Sequence, residues 1–268
     1  MLSSPWIAAL IALFSWWFST GIILLVVRRA DKAKSGAHGA SVFFSIPLIA
    51  LGMAGLIISA STLDVANVYI AFLSVLLVWG WIELAFLSGI ITGPERQSCP
   101  EGLTGFARFN RAWHTLSHHE LLLLCGLLVV TVATTGAENT FGFWAYLILF
   151  TARISAKLNL FFGVPRINTE FVPAPLQHLK SYFRQGNVTF AFVIGVTFLS
   201  LATACFAERL YSAETTSMQV GFALLFALSA LATLEHWLMV IPLPDAKLWR
   251  WMLPALPTTS KTGQSHEL

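Results

Sequence analysis

Charge is what this chain has least of. Only 11% of its 268 residues are Asp, Glu, Lys or Arg, against 56% hydrophobic residues and a mean hydropathy of +0.73. That balance excludes an ordinary soluble domain. The net charge of +3 bears on membrane topology rather than on nucleic acid. Cysteine is scarce too: Cys99, Cys125 and Cys205 show no paired spacing and no CxxC. Neither a disulfide framework nor a zinc-thiolate site is expected. There are no internal repeats and no low-complexity segment. A cleavable signal peptide is not expected, because the first apolar run is long, lacks a basic start and ends in Arg28-Arg29. The residue alternation that a membrane barrel needs is missing as well, since runs such as Ile22–Val27 and Leu121–Val130 are unbroken.

What is present is hydrophobic length. Seven apolar stretches of about 20 residues suffice to cross a bilayer as helices, near 5–27, 40–60, 66–91, 112–136, 140–162, 187–207 and 216–241. The second is the weakest, being short and carrying Pro47 and several glycines. The expectation is an all-α integral membrane protein forming one polytopic domain over residues 1–257, followed by a mobile polar tail at 258–268. Ten Trp and 21 Phe suit packing in lipid and anchoring at its interfaces. Basic residues concentrate in alternate loops: Arg28, Arg29, Lys32 and Lys34; Arg96, Arg108 and Arg111; Arg166, Lys180 and Arg184; and in the tail Lys247, Arg250 and Lys261. The intervening loops STLDVAN, GAENT and ERLYSAETTS hold Arg209 alone. Positive residues stay on the cytoplasmic side, so the N-terminus is expected outside and the C-terminus inside. The long cytoplasmic loop, 163–186, carries three prolines that forbid a continuous helix before Leu176, then an amphipathic piece, Leu176 to Phe183.

Ionisable residues inside the spans carry the functional signal. Glu83 sits in VLLVWGWIELAFLSGII, and His114, His118, His119 and Glu120 in AWHTLSHHELLLLCGLLVV. Arg153 and Lys157 lie in LILFTARISAKLNLFF, and Glu235 with His236 in LATLEHWLMVIP. At about 1.5 Å per residue, Glu83, His118, Arg153 and Glu235 lie roughly 9–13 Å from one membrane side. Four helices thus place such groups in one layer, and each costs about 2.5–3.5 kcal/mol at a helix centre. His114 and His118 are four apart and share a helix face, whereas His119 points about 100° away. Glu170 and His178, on the long loop, are placed to fold back beneath this layer. Glu83, His114, His118, His119, Glu120, Glu170, His178, Glu235 and His236 are therefore candidate metal ligands, and imidazole with carboxylate suits non-haem iron. Arg153 and Lys157, also four apart, are candidates to clamp a carboxylate of a bound cofactor. The bland alternatives are histidines bonded to backbone or headgroups, a Glu–Arg packing pair, and cations reaching for the headgroups.

The H-x3-H-H spacing resembles one box of the membrane fatty-acid desaturases and hydroxylases. That family uses several boxes, and only His38, His178, His236 and His266 remain here. A wider resemblance covers nearly the whole chain. HTLSHHELLLL, ARISAKLNLFFGVPRINTEFVP and LQHLKSYF look like the PuhE-type photosynthetic complex assembly proteins of purple bacteria. The resemblance implies a multi-pass protein of the bacterial cytoplasmic or intracytoplasmic membrane. It also implies a role in bacteriochlorophyll supply and in building the reaction centre and core antenna. Partners would be membrane lipid, a tetrapyrrole pigment or its precursor, and those complexes or the biosynthetic enzymes.

Two mechanisms stay open. One is a pigment-handling factor in which His118 or His114 ligates the magnesium of a bacteriochlorophyll. The other is a di-iron oxidoreductase acting on a hydrophobic substrate such as a bacteriochlorophyll precursor. A proton-coupled transporter would need polar paths to both sides, and the charged layer favours one.

Overall fold

The computed structural model describes residues 1–33 and 35–242. Lys34, Lys247, Arg250, Lys261, His266 and the tail 258–268 lie outside the described residues. The described chain is all-helical, with seven helical spans long and apolar enough to cross a membrane. They are α1 (Pro5–Lys32), α2 with α3 (Ala37–Phe44 and Ile46–Ala60), α4 (Val65–Leu87), α5 (Gly105–Thr134), α6 (Phe141–Phe162), α7 (Phe190–Tyr211) and α8 (Thr216–Leu238).

Local chemistry explains the ends. Pro5 opens α1, where a missing N–H costs nothing, and Arg29 and Lys32 close it against the dipole. Asp64 caps α4 by accepting the Asn67 N–H at 2.9 Å, and Thr215 caps α8 through the Met218 N–H at 3.3 Å. The second span is divided at Ser45, where Pro47 supplies no N–H and the Leu48 N–H turns back to the Ser45 carbonyl at 2.9 Å. α4 stops at Leu87, short of the expected 91. Gly89 takes φ 71°, which lets the Ile90 and Ile91 N–H groups both return to the Ala85 carbonyl at 3.0 and 3.1 Å. α5 begins at Gly105, ahead of the expected 112. Its 30 residues are longer than a bilayer of about 30 Å requires.

α4 and α8 form the centre. Buried residues make up 61% and 56% of their apolar stretches, against 22% or less for the other spans. α3 packs on α4, α7 on α8, and α1 lies across both central helices. α6 touches α4, α5, α7 and α8. Every other helix that carries an intramembrane charge is therefore α6's neighbour. The main core, including Phe72, Ile82, Leu123, Tyr146 and Leu224, lies away from the long loops.

One end of the bundle, here termed the basic face, carries Arg28, Arg96, Arg108, Arg111 and Lys180. There the chain from 163 to 189 folds into a cap. Its 3-10 segment Ala174–Tyr182 buries Leu176 and Leu179 against Phe86 of α4. Arg108 ties the cap to α5 and α6 by donating to the Tyr182 carbonyl at 2.6 Å and the Phe161 carbonyl at 3.3 Å. At the opposite end Asn139, 1% exposed, donates to the carbonyls of Ser59 and Asn67, both at 3.0 Å. That side chain locks the start of α6 to α3 and α4.

Candidate functional site: a buried charge junction and an outward histidine

Beneath the cap, α4, α5 and α6 meet in a junction of charged side chains. Arg153 donates through its guanidinium to Glu83, and the Lys157 ammonium donates to Glu120. Arg153 and Lys157 sit one turn apart on α6, so each reaches a different neighbouring helix. The charges cancel pair by pair, as the buried carboxylates require, while Arg153 stays 32% exposed. Between the pairs lies the imidazole of His119, 0% exposed, with Nε2 3.8 Å from Glu83 Oε1. That separation is too long for a hydrogen bond. The ring stacks on Phe86 with centroids 4.2 Å apart and planes inclined by 28°. Arg153 and Lys157 lie over the same phenyl ring, 5.8 and 5.3 Å from its centroid. Glu235 of α8 stands half-buried within electrostatic reach of Arg153.

The run from His114 to Glu120 divides between the two sides of α5. His119 and Glu120 face inward, and His114 and His118 are exposed. Residues 92–95 fix this rotation by docking against the helix. The His119 N–H donates to the Thr92 carbonyl at 2.9 Å, and the Glu95 N–H donates to the His114 carbonyl at 3.1 Å. Gly93 permits the approach, because a Cβ there would come within 2.7 Å of the Thr115 carbonyl carbon. The two backbones meet at van der Waals contact, and only glycine fits between them.

The remaining candidates are dispersed. His236 is 1% exposed on the far side of α6 from Arg153. Its Nδ1–H donates to the Ala232 carbonyl at 2.8 Å, so Nε2 accepts from the Ser155 hydroxyl at 2.9 Å. Glu170 is exposed on the cap, where its backbone carbonyl accepts from Arg28 at 3.0 Å. His178 is half-buried in the cap. Desolvation holds its imidazole below the usual histidine range, and the Arg96 charge adds to the shift. Burial likewise raises the Tyr182 phenol, which donates to the Gln97 carbonyl at 3.1 Å.

Among the described residues no three His, Cys, Asp or Glu side chains gather as a metal-binding group. Glu83 and Glu120 are each matched to a cation, and Arg153 and Lys157 are matched to protein carboxylates. This donor set does not fit a di-iron centre.

His114 presents a different chemistry. Its Nδ1 lies 2.6 Å from the Asn110 carbonyl. A carbonyl only accepts, so the neutral ring carries its proton on Nδ1 and a free lone pair on Nε2. The side chain borders an open-mouthed cavity of about 450 Å³ that Leu103, Ala107, Asn110 and Arg111 also line. His118 follows one turn deeper on the outer surface of α5, ahead of exposed Leu121, Leu128 and Val132.

Several residues of these sites escape sequence reasoning. Phe86 resembles any apolar helix residue, although its place three after Glu83 on one face was a signal. Ser155 and Asn159 are four apart on α6, opposite Arg153 and Lys157, a spacing that marks a second polar face. Nothing local marks Thr92 or Gly93.

Comparison with known proteins gives the following. The model of a family described as a protein of unknown function, DUF3623, matches residues 2–260. The chain is 48% identical over 261 residues to a protein of Rhodobacter capsulatus named as an uncharacterized 30.4 kDa protein in the puhA 5' region, covering 97% of this chain and 95% of the relative. No solved structure matches the chain.

Proposed function

Since the chain belongs to the DUF3623 family, we propose that it is a membrane factor of the photosynthetic apparatus, serving bacteriochlorophyll supply and assembly of the reaction centre and core antenna. Two facts support this reading. The relative from Rhodobacter capsulatus is named for a place beside puhA, and the segments around His114 and the cap resemble the PuhE-type assembly proteins. The distribution of basic residues supports a cytoplasmic basic face, with the N-terminus on the other side of a bacterial cytoplasmic membrane.

The observation that carries the pigment role is the 2.6 Å contact of His114 Nδ1 with the Asn110 carbonyl, which leaves Nε2 as the outward nitrogen. A chlorin, if bound, would need a neutral nitrogen donor from the protein for its magnesium, and His114 is the residue that would supply it. A neutral imidazole whose other nitrogen is bonded to a backbone carbonyl is suited to such a role. His114 stands where α5 leaves the lipid, beside a cavity whose open mouth lets a flat ring seat by its edge. A ring held there would lie along the apolar outer surface of α5. Holding and presenting a pigment asks for no reacting group, and the paired charges of the junction then act as the rigid support of the helix that bears the ligand.

The test is an absorption spectrum with elemental analysis of detergent-purified protein from a pigment-producing host. Bound chlorin in the parent and in His118→Ala, lost in His114→Ala at equal protein level, is the expected result. About two irons per chain and no chlorin would replace this reading with the membrane non-haem iron oxidoreductase. Neither chlorin nor iron, or chlorin retained in His114→Ala, would remove His114 from the account.

A further inference from the structure

The charge junction contains more hydrogen-bonding capacity than the protein satisfies. Glu83 Oε1, Glu120 Oε2, Arg153 Nε and both ring nitrogens of His119 are buried with no protein partner. Buried polar atoms are bonded in the great majority of cases, and a lone exception is tolerable. Five at one junction of three helices, around a side chain that is 0% exposed, is a different matter. Each would forfeit its hydration with no return.

The chemistry of the missing partner follows from the atoms. The two carboxylate oxygens and one ring nitrogen of a neutral His119 need donors. The other ring N–H and the Arg153 Nε–H need acceptors. The partner must therefore donate and accept in nearly equal measure, and it must be small, because the His119, Glu83 and Glu120 side chains are only 0%, 9% and 7% exposed, the junction opening only along Arg153, which is 32% exposed. An anion offers no donors, and a metal cation offers no acceptors for Arg153. Water meets all of these conditions, and about two molecules suffice at two donors and two acceptors each.

We propose that the α4–α5–α6 junction is an internal water-binding site, in which bound water joins the Glu83–Arg153 and Glu120–Lys157 pairs through His119. The imidazole accepts at one nitrogen and donates at the other. It thereby completes one hydrogen-bonded chain between the two carboxylates, within a membrane span. The two ion pairs become a single coupled unit, and the rotation of α5 set by Thr92 and Gly93 is what brings His119 into the middle of it. The inference stands apart from the pigment reading, since His114 and His118 lie on the other side of α5.

Radiolytic hydroxyl footprinting in H₂¹⁸O, on the full chain in lipid nanodiscs, tests it directly, because radicals born from bound water label the side chains that touch it. Phe86 and His119 are expected to be labelled several-fold faster than Phe72, which is 1% exposed in the dry core of the same helix. Their ¹⁸O uptake should also lag behind that of exposed loop residues. His119→Leu should reduce Phe86 labelling to the Phe72 rate, and His119→Gln, which keeps one donor and one acceptor at that position without touching either ion pair, should leave most of it. Equal rates at Phe86 and Phe72 in the parent protein would overturn the proposal. So would unchanged Phe86 labelling in His119→Leu, because the water would then not depend on the imidazole.

Discussion

At the scale of single residues, the consequence of burial is that neither member of an ion pair can be removed alone. The Lys157 and Glu120 side chains are 15% and 7% exposed, so Lys157→Met would leave a carboxylate in an apolar surrounding without its counter-charge. A loss of about 3–5 kcal/mol is expected, and combining Lys157→Met with Glu120→Leu should recover most of it, because desolvation offsets much of what a buried pair gains. Unfolding titrations in mixed micelles on the two variants check this. If the double variant proves no more stable than the single, the two side chains do not act as a pair. The same reasoning distinguishes His119 from His118. One is enclosed by charge and aromatic surface and the other faces outward, although the two are adjacent in the chain.

At the scale of elements, the orientation of α5 depends on a short segment that is not a helix at all. Residues 92–95 exchange two backbone hydrogen bonds with α5, and Gly93 allows the contact. Gly93→Ala would force a methyl group against the Thr115 backbone, which cannot yield as a flexible side chain can. A cost of about 1–3 kcal/mol is expected from such overpacking. Faster amide hydrogen exchange over 114–120 than in the parent should accompany it. Exchange unchanged in that stretch would mean that α5 keeps its orientation without the wedge. The helices themselves are easier to understand. α4 and α8 are apolar around most of their circumference because neighbours surround them, whereas α1, α5 and α7 show apolar residues to lipid on one side.

At the scale of the whole molecule, function depends on which membrane side the cap and the His114 cavity face. If the basic face is cytoplasmic, a fluorescent protein fused after Leu268 should fold and fluoresce in cells, and one inserted at Glu138 should stay dark. The reverse pattern would invert the topology and put the cavity on the outer side. The arrangement of depth is coherent in either case. The cap, the outward histidine and the charge junction all lie at one end, and the opposite end is closed by Asn139 and an apolar core.

Composition and run length by themselves determined the helical class, the seven spans and the layer in which ionisable groups sit. These follow from local hydrophobicity and from the fixed rise of a helix, which need no knowledge of neighbours. The shared face of Arg153 and Lys157 was legible for the same reason, since four residues make about one turn. Only the tertiary structure decided that Arg153 meets Glu83, that Lys157 meets Glu120, and that His119 rather than His118 turns inward. A helix in lipid is free to rotate about its axis without changing its depth. That rotation is set by distant contacts: the Thr92 carbonyl, the close approach at Gly93 and the phenyl ring of Phe86.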